Sequence, residues 1–155
     1  MMKAAWAVGA AALVSVPIMA LPTKWSVDPD PGIARYTVGD LGNRGSYMII
    51  ACPDGQGADI SVAVNGVIAP SDSQIGFRAA NRTFVMKSNG NGLIETKSKG
   101  NAGAFVQLWQ AIRAGKTLDV SFTNGVSASL SLAGSARALP ASPCPVDYRP
   151  GKLNL

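Results

Sequence analysis

Residues 102–132 read AGAFVQLWQAIRAGKTLDVSFTNGVSASLSL, and this stretch decides the fold. Large apolar side chains in its first half recur at the i, i+3, i+4 and i+7 spacing of one helical face. They are Phe105, Leu108, Trp109 and Ile112. We therefore predict a helix over residues 102–114, with Gly115 as its C-terminal cap. On this stripe Trp109 is interpreted as a core residue rather than a stacking platform.

After Gly115 the apolar period changes from 3.6 to 2, which indicates strands. Residues 118–122 alternate between apolar and polar side chains, Thr123-Asn124-Gly125 turns the chain, and residues 126–132 alternate again with serines. This pattern predicts a β-hairpin with one apolar and one hydroxyl-rich face, typical of an antiparallel sheet covered on one side. A short helical turn over residues 135–139 is expected to follow it.

Alternating or short apolar runs upstream of the helix predict further strands. Asn65-Gly66 is a tight-turn signal, and residues 88–92 are expected to reverse the chain likewise, with 93–96 returning against 82–87. We predict an irregular edge strand over 33–38, and further strands over 47–52, 59–64, 67–68, around Phe77, 82–87 and 93–96. Asp28-Pro29-Asp30 is expected to form a turn, and residues 69–76 a polar loop. The predicted fold class is mainly β with one or two helices: a single-domain antiparallel β-sandwich with a helix before the C-terminal hairpin.

The first twenty residues have the layout of a secretory signal peptide. A short basic start, Met1-Met2-Lys3, precedes an apolar run over residues 4–16, and Ala20 offers a small residue for cleavage. The run is too short for a good membrane span, so no integral span is expected after cleavage. We predict a periplasmic or secreted protein with one domain over residues 21–144 and a loosely ordered tail over 145–155.

The chain has two cysteines, Cys52 and Cys144. In an exported protein an even cysteine count favours a disulfide, which here closes a loop of about 90 residues. Two free buried thiols are the alternative. A redox-active pair is disfavoured because no Cys-x-x-Cys spacing is present.

Two residue types that are common in active sites are absent or rare in this sequence. There is no histidine, and Glu95 is the only glutamate. Histidine is the commonest general base and metal ligand, so triads that contain it and histidine zinc sites are excluded. We predict no catalytic residue, no metal site and no cofactor, and a protein that is not an enzyme. An enzyme that uses Asp, Ser, Lys or Tyr, and a lipid or small-molecule carrier, stay open as lesser alternatives.

The chain is mildly basic, with a formal net charge of +5. No two lysines or arginines are adjacent, whereas a nucleic-acid binder usually carries a dense basic stripe, so no nucleic-acid partner is predicted. If their segments pair as neighbouring strands, one group of cations forms a candidate binding surface; an ordinary solvated surface is the alternative. This group is Arg78, Arg82, Lys87, Lys97 and Lys99.

The C-terminal third resembles a known family. It predicts a helix that ends in Gly115-Lys116, then two strands, the sequence Ser131-Leu132-Ala133-Gly134 and a short helix ending at Leu139. This order of elements resembles the invasion-associated locus B family and related β-sandwich proteins found near type VI secretion genes. Trp25 and Cys52 match the tryptophan and cysteine of these exported bacterial proteins. The family usually has a Gly-Cys step before the helix, which is absent here. The resemblance implies an exported binding or stress-related protein and transfers no catalytic residue.

These observations favour a non-enzymatic bacterial envelope protein that binds another macromolecule, with a protein partner in the envelope, or that supports envelope, stress or host-interaction functions. The alternative is an inhibitor or immunity protein of a cell-wall hydrolase or secreted toxin. In that case a polar loop over residues 70–74, or the turn over residues 89–92, would insert into the active site of the target.

Overall fold

Two antiparallel sheets pack face to face in the computed structural model, which describes residues 25–144. The first sheet has the order β1-β2-β3-β4-β5, with β8 also on β4, and the second has the order β10-β9-β6-β7. The elements are β1 Ser26–Asp30, β2 Ile33–Gly39, β3 Tyr47–Pro53, β4 Asp59–Val64, β5 Val67–Ile68, β6 Gln74–Ala79, β7 Arg82–Lys87, β8 Ile94–Glu95, α1 Lys99–Ala114, β9 Thr117–Phe122, β10 Ser127–Ser131 and α2 Ser135–Ala138.

The core lies between the inner faces of the two sheets. Met48 and Ile50 of the first sheet and Ile75 and Phe77 of the second are at most 1% exposed. In β3, β6, β7 and β9 alternate residues are buried, so there the period of 2 read from the sequence gives one buried face and one more exposed face. The structure confirms the predicted fold class: mainly β, in two antiparallel sheets, with α1 before the C-terminal hairpin of β9 and β10.

Helix α1 carries the predicted apolar face into this core but begins earlier than expected. The side chain of Ser98 accepts a hydrogen bond from the backbone N–H of Asn101 and caps the helix, which begins at Lys99, three residues before the predicted start. Gly115 ends the helix with an extended backbone (φ −85°). A Cβ at Gly115 would lie 2.9 Å from the Ala111 carbonyl oxygen, so close packing, not a left-handed conformation, requires glycine there.

The prediction for the first strands is wrong in two respects. Asp28-Pro29-Asp30 is part of β1 and not a turn, because the chain reverses two residues later, where Gly32 has φ +77°. As a consequence β2 lies between β1 and β3 and is not an edge strand. An ion pair of 2.6 Å between Asp30 and Arg35 joins the ends of β1 and β2. Proline and aspartate have low strand propensity, and the pairing with β2 overrides it here.

The predicted hairpin between residues 82–87 and 93–96 is also wrong. The partner of β7 is β6, joined by a tight turn in which Ala80 and Asn81 both have positive φ. β6 begins at Gln74, inside the segment expected to be a polar loop. Residues 88–92 carry the chain from the second sheet to the first, where β8 pairs with β4. Turn residues reverse the chain in both arrangements, so they do not specify which strand it meets.

Three other local predictions are confirmed. The turn Asn65-Gly66 has positive φ at both residues and joins β4 to β5. The short helical turn appears as α2. Cys52 and Cys144 form a disulfide between β3 and the C-terminal segment, with Cα atoms 5.5 Å apart and a sequence separation of 92.

Residues 139–144, which we call the C-terminal strap, run along α1 to the disulfide. The indole N–H of Trp109 donates to the carbonyl oxygen of Pro140 at 2.9 Å, and the guanidinium Nε of Arg113 donates to that of Leu139 at 3.1 Å. The predicted signal peptide and the predicted tail lie outside the described residues. Within residues 25–144, no helix is long and apolar enough to cross a membrane.

Candidate functional site

The structure separates the five cations predicted to form one surface. Arg78 and Lys87 lie on the outer face of the second sheet but at opposite ends of it, because Arg78 pairs with Thr83 and Lys87 with Gln74. Arg82 belongs to the inner-face side of β7. Its guanidinium lies 5.2 Å from the ring centre of Phe84 and donates to the Gln107 side chain of α1 at 2.6 Å.

Lys87, Lys97 and Lys99 lie near the start of α1, beside a cleft of about 280 Å³. Several polar side chains in the wall of this cleft are already bonded to other groups of the protein. The Asn89 side-chain amide donates to Glu95 Oε2 at 2.9 Å, and Lys97 Nζ lies 3.1 Å from Glu95 Oε1. These two contacts lower the pKa of Glu95, the hydrogen bond from Asn89 most strongly.

Asn101 makes this cleft a structural junction. Its side-chain oxygen accepts from the backbone N–H of Lys87, and its amide donates to the carbonyl oxygens of Lys87 and Glu95, each at 2.9 Å. One buried side chain thus ties α1 to a strand of each sheet.

A second group of cations converges at the other end of the second sheet. Two adjoining clefts of about 430 and 440 Å³ share Gly115 and Lys116 in their walls. The first also has Arg78 and Asn81 in its wall, and the second has Arg113 and Arg137. We call the set Arg78, Arg113, Lys116 and Arg137 the basic end of the sandwich.

The basic end forms where two connections between elements reverse the chain direction. The connection from α1 to β9 passes through Gly115-Lys116, and the turn between β6 and β7 lies against it. A Cβ at Gly115 would be 3.4 Å from the Ala80 backbone nitrogen. Tight packing of backbone on backbone fixes where Arg78 and Lys116 emerge, and the hydrogen bond from Arg113 to Leu139 holds a third cation in place.

The basic end has an unbalanced positive charge. No carboxylate of residues 25–144 forms an ion pair with Arg78, Arg113, Lys116 or Arg137. Of the residues that the structure describes, Asp119 is the one carboxylate in the walls of the two clefts, and its Oδ1 accepts a hydrogen bond from the Ser129 hydroxyl at 2.5 Å. Guanidinium and ammonium groups that form no ion pair attract carboxylates and phosphates, and arginine can bind them in a bidentate manner. Chemically, the basic end is suited to binding anions.

The outer face of the second sheet leads into the basic end. Strand register places Ser129, Asp119, Arg78 and Thr83 in one row across all four strands. The neighbouring row has Gly76 beside Ser121, and a Cβ at Gly76 would lie 2.6 Å from the Ser121 hydroxyl. The predicted hydroxyl-rich face is therefore present, exposed and continuous with the cationic clefts.

The two segments predicted as inhibitory loops lie side by side at the opposite end of the second sheet. The backbone N–H of Asp72 donates to the Asn89 carbonyl oxygen at 3.0 Å, and that of Ser88 to Ser73 at 2.9 Å. The Ser88 hydroxyl, almost fully buried, donates to the Pro70 carbonyl oxygen. The two segments thus form one hydrogen-bonded unit.

Sequence reasoning found only one member of the basic end, Arg78. It assigned no binding role to Arg113, Lys116 or Arg137. All three lie within a few residues of Gly115 or Gly134, where the chain leaves a helix or enters one. Cations beside glycines at element ends are the signal that was available. Among residues 25–144, no three Cys, Asp or Glu side chains come together as a metal site.

Comparison with curated proteins and with solved structures gives no match. The sequence profile of the YfjT family matches residues 23–139. That match spans the two sheets, α1 and α2, and stops at the start of the C-terminal strap. Because it covers most of the chain, this protein belongs to the YfjT family.

Proposed function

We propose that this protein is an exported, non-enzymatic envelope protein that binds another macromolecule, and that the basic end contacts an acidic surface of a partner protein. The observation that carries the proposal is the group of four cations without carboxylate partners around Gly115-Lys116. On most protein surfaces, positive and negative side chains alternate. A group of side chains with the same sign of charge around a cleft instead attracts an oppositely charged partner.

Export is supported by the disulfide and by the predicted signal peptide. A disulfide between Cys52 and Cys144 persists in an oxidising compartment, which for a bacterial protein is the periplasm or the exterior. The resemblance of the C-terminal third to the invasion-associated locus B family supports the same location and a binding role.

Preorganisation supports the choice of the basic end as the contact. Arg113 is already held by Leu139, and Lys116 follows a glycine packed against the next turn, so little backbone freedom is lost on binding. The hydroxyl-rich outer face beside it supplies hydrogen-bond donors and acceptors for the rim of such an interface.

Reversing charge at the basic end is expected to abolish capture of the partner. We expect Lys116→Glu/Arg137→Glu to reduce the amount of partner protein recovered by crosslinking in the native envelope at least about tenfold, since two attractive contacts become repulsive. Both side chains are exposed, so folding should be unchanged. Recovery is quantified by mass spectrometry.

The matched control is Lys87→Glu/Lys99→Glu, which changes the net charge equally at the other end of the sheet. It is expected to leave recovery of the partner unchanged. Equal losses in both variants would show a general charge effect and refute a contact at the basic end.

A second candidate function is inhibition of a cell-wall hydrolase or secreted toxin. The hydrogen-bonded segments 70–74 and 89–92 favour it, because an inhibitory segment that is rigid before it binds loses little conformational entropy. If it is correct, the protein inhibits turnover by a lysozyme or amidase, and Ser71→Arg/Asn91→Arg at the two exposed loops removes the inhibition. Asn124→Arg, in the turn between β9 and β10, is the control. Full enzyme turnover in a molar excess of the protein would eliminate this candidate.

A further inference from the structure

The strand edges of the sandwich differ in their protection. β1 contains Asp28, Pro29 and Asp30, and the opposite edge of its sheet is divided between the two-residue strands β5 and β8. At the β7 edge of the second sheet, Asn101 occupies the backbone N–H and carbonyl of Lys87. Proline, charge, short length and cover are the usual means by which proteins prevent edge pairing.

The sequence and length of β10 give it little of this protection. Its sequence, Ser-Ala-Ser-Leu-Ser, contains no charge and no proline, and no strand among residues 25–144 pairs with its outer side. Phe122 N–H donates to the Val126 carbonyl oxygen and Leu132 N–H to that of Lys116, each at 2.9 Å. These bonds show which residues of β10 direct their backbone groups toward β9 and which direct them away. In an antiparallel pair, bonded residues alternate with residues whose backbone groups face away. The backbone groups that face away belong to Ser127, Ser129 and Ser131.

We propose that β10 binds β10 of a second copy of this chain, antiparallel and centred on Ser129, which joins the two four-stranded sheets into one. In this register Ser129 is opposite Ser129 of the second copy, and Ser127 is opposite Ser131. On the inner face Ala128 is opposite Leu130. Each of the three serine pairs exchanges two backbone hydrogen bonds.

Self-complementarity and charge identify the occupant as a second copy. The edge is neutral, so β10 meets no like charge when it pairs with itself. Its C-terminal end leads through Leu132 to Lys116 and Arg137. The cleft at the other end of the sheet has two lysines, Lys87 and Lys97, and two carboxylates, Asp72 and Glu95. Antiparallel pairing places the basic end of one copy toward the mixed-charge end of the other, while parallel pairing would bring two basic ends together.

The dimer is expected to be weak and reversible. A single five-residue strand pair buries less surface than the roughly 1,200 Å² of a stable complex, so its main-chain hydrogen bonds provide most of the affinity. We expect a dissociation constant on the order of tens of micromolar, with the two basic ends at opposite extremes of the joined sheet.

Sedimentation of the disulfide-bonded protein over a range of concentrations tests the proposal. The wild type is expected to shift from monomer to dimer. Ser129→Pro removes one outward N–H while keeping the backbone bonds to β9, and it should remain monomeric, since proline is tolerated at strand edges. It also removes the hydroxyl bond to Asp119, a loss that Ser129→Ala shares. Ser129→Ala keeps the N–H and should dimerise like the wild type. Ser129→Lys places two like charges at the twofold axis and should dimerise more weakly, with partial recovery in high salt.

Crosslinking locates the contact. Directly opposed residues of a bonded pair have Cα atoms about 5.5 Å apart, a distance that suits a disulfide. Under mild oxidation Ser129→Cys should give a covalent dimer that reductant reverses, and Ser121→Cys, one strand further in, should not. A protein that stays monomeric at about 1 mM, dimerisation unaffected by Ser129→Pro and Ser129→Lys, or equal crosslinking at both cysteines would each overturn the proposal. Because the basic-end variants leave β10 intact, this test can fail independently of the proposed function.

Discussion

Replacing Trp109 with alanine is expected to lower the free energy of unfolding by about 3–5 kcal/mol, the range for removing a buried large aromatic side chain. Trp109 is 0% exposed and packs edge-on against Tyr36 of the first sheet, with ring centres 5.5 Å apart. A second edge contact joins it to Phe105 at 5.7 Å. Its indole N–H also holds the C-terminal strap at Pro140. One substitution therefore loosens the contact of α1 with the first sheet and with the strap.

Urea denaturation followed by circular dichroism measures this loss. Trp109→Phe separates the two roles, because it keeps an aromatic ring in the core and removes the donor to Pro140; we expect a loss of about 1–3 kcal/mol. Val106→Ala on the exposed side of the same helix is the control, with an expected change within about 0.5 kcal/mol. A loss below about 1 kcal/mol for Trp109→Ala would contradict its position at the centre of the core.

Removing the disulfide is expected to have an effect of similar size. The Cys52–Cys144 bond closes 92 residues, for which the chain-entropy model gives about 4–5 kcal/mol as an upper value. The cysteines are at least nine-tenths buried, so Cys52→Ala/Cys144→Ala also removes some packing. The bond anchors the strap that supplies the acceptors for Trp109 and Arg113. We expect the double variant to lose about 3–5 kcal/mol.

The wild type treated with reductant is the matched control and should lose a comparable amount. The variant also predicts a coupling: Trp109→Phe should cost less without the disulfide, because the strap is no longer held beside the indole. Additive losses in this double-mutant cycle would show that the disulfide and the indole act independently. Equal stability of the oxidised and reduced wild type would refute a structural role for the bond.

Local patterns in the sequence predicted much of the fold. The spacing of Phe105, Leu108, Trp109 and Ile112 identified the buried face of α1, and alternation identified β9 and β10. These predictions succeed because a helical stripe or an alternating strand has the same period wherever it packs. The strand β1 was missed because Asp28-Pro29-Asp30 reads as a turn, and only its partner β2 keeps it extended.

The candidate site was less predictable than the fold. Lys116 and Arg137 are separated by two strands in sequence, and they come together because Leu132 pairs with Lys116 at the end of β10. Arg78 joins them through the register of β6 with β9. In contrast, Arg82, expected on the same surface as Arg78, turns to the helix and bonds with Gln107. A charge placed by strand register cannot be located from spacing along the chain, since register depends on pairing with distant segments.

The sequence by itself determined which faces of α1, β9 and β10 are apolar and that Asn65-Gly66 turns the chain. These properties depend on neighbours within a few residues and on the two structural periods. The tertiary structure decided that β8 pairs with β4 and not with β7, that four cations share the basic end, and that β10 is an edge strand of the second sheet among residues 25–144. Those outcomes depend on contacts between segments tens of residues apart, whose choice of partner is made by burial of the whole core rather than by local preference.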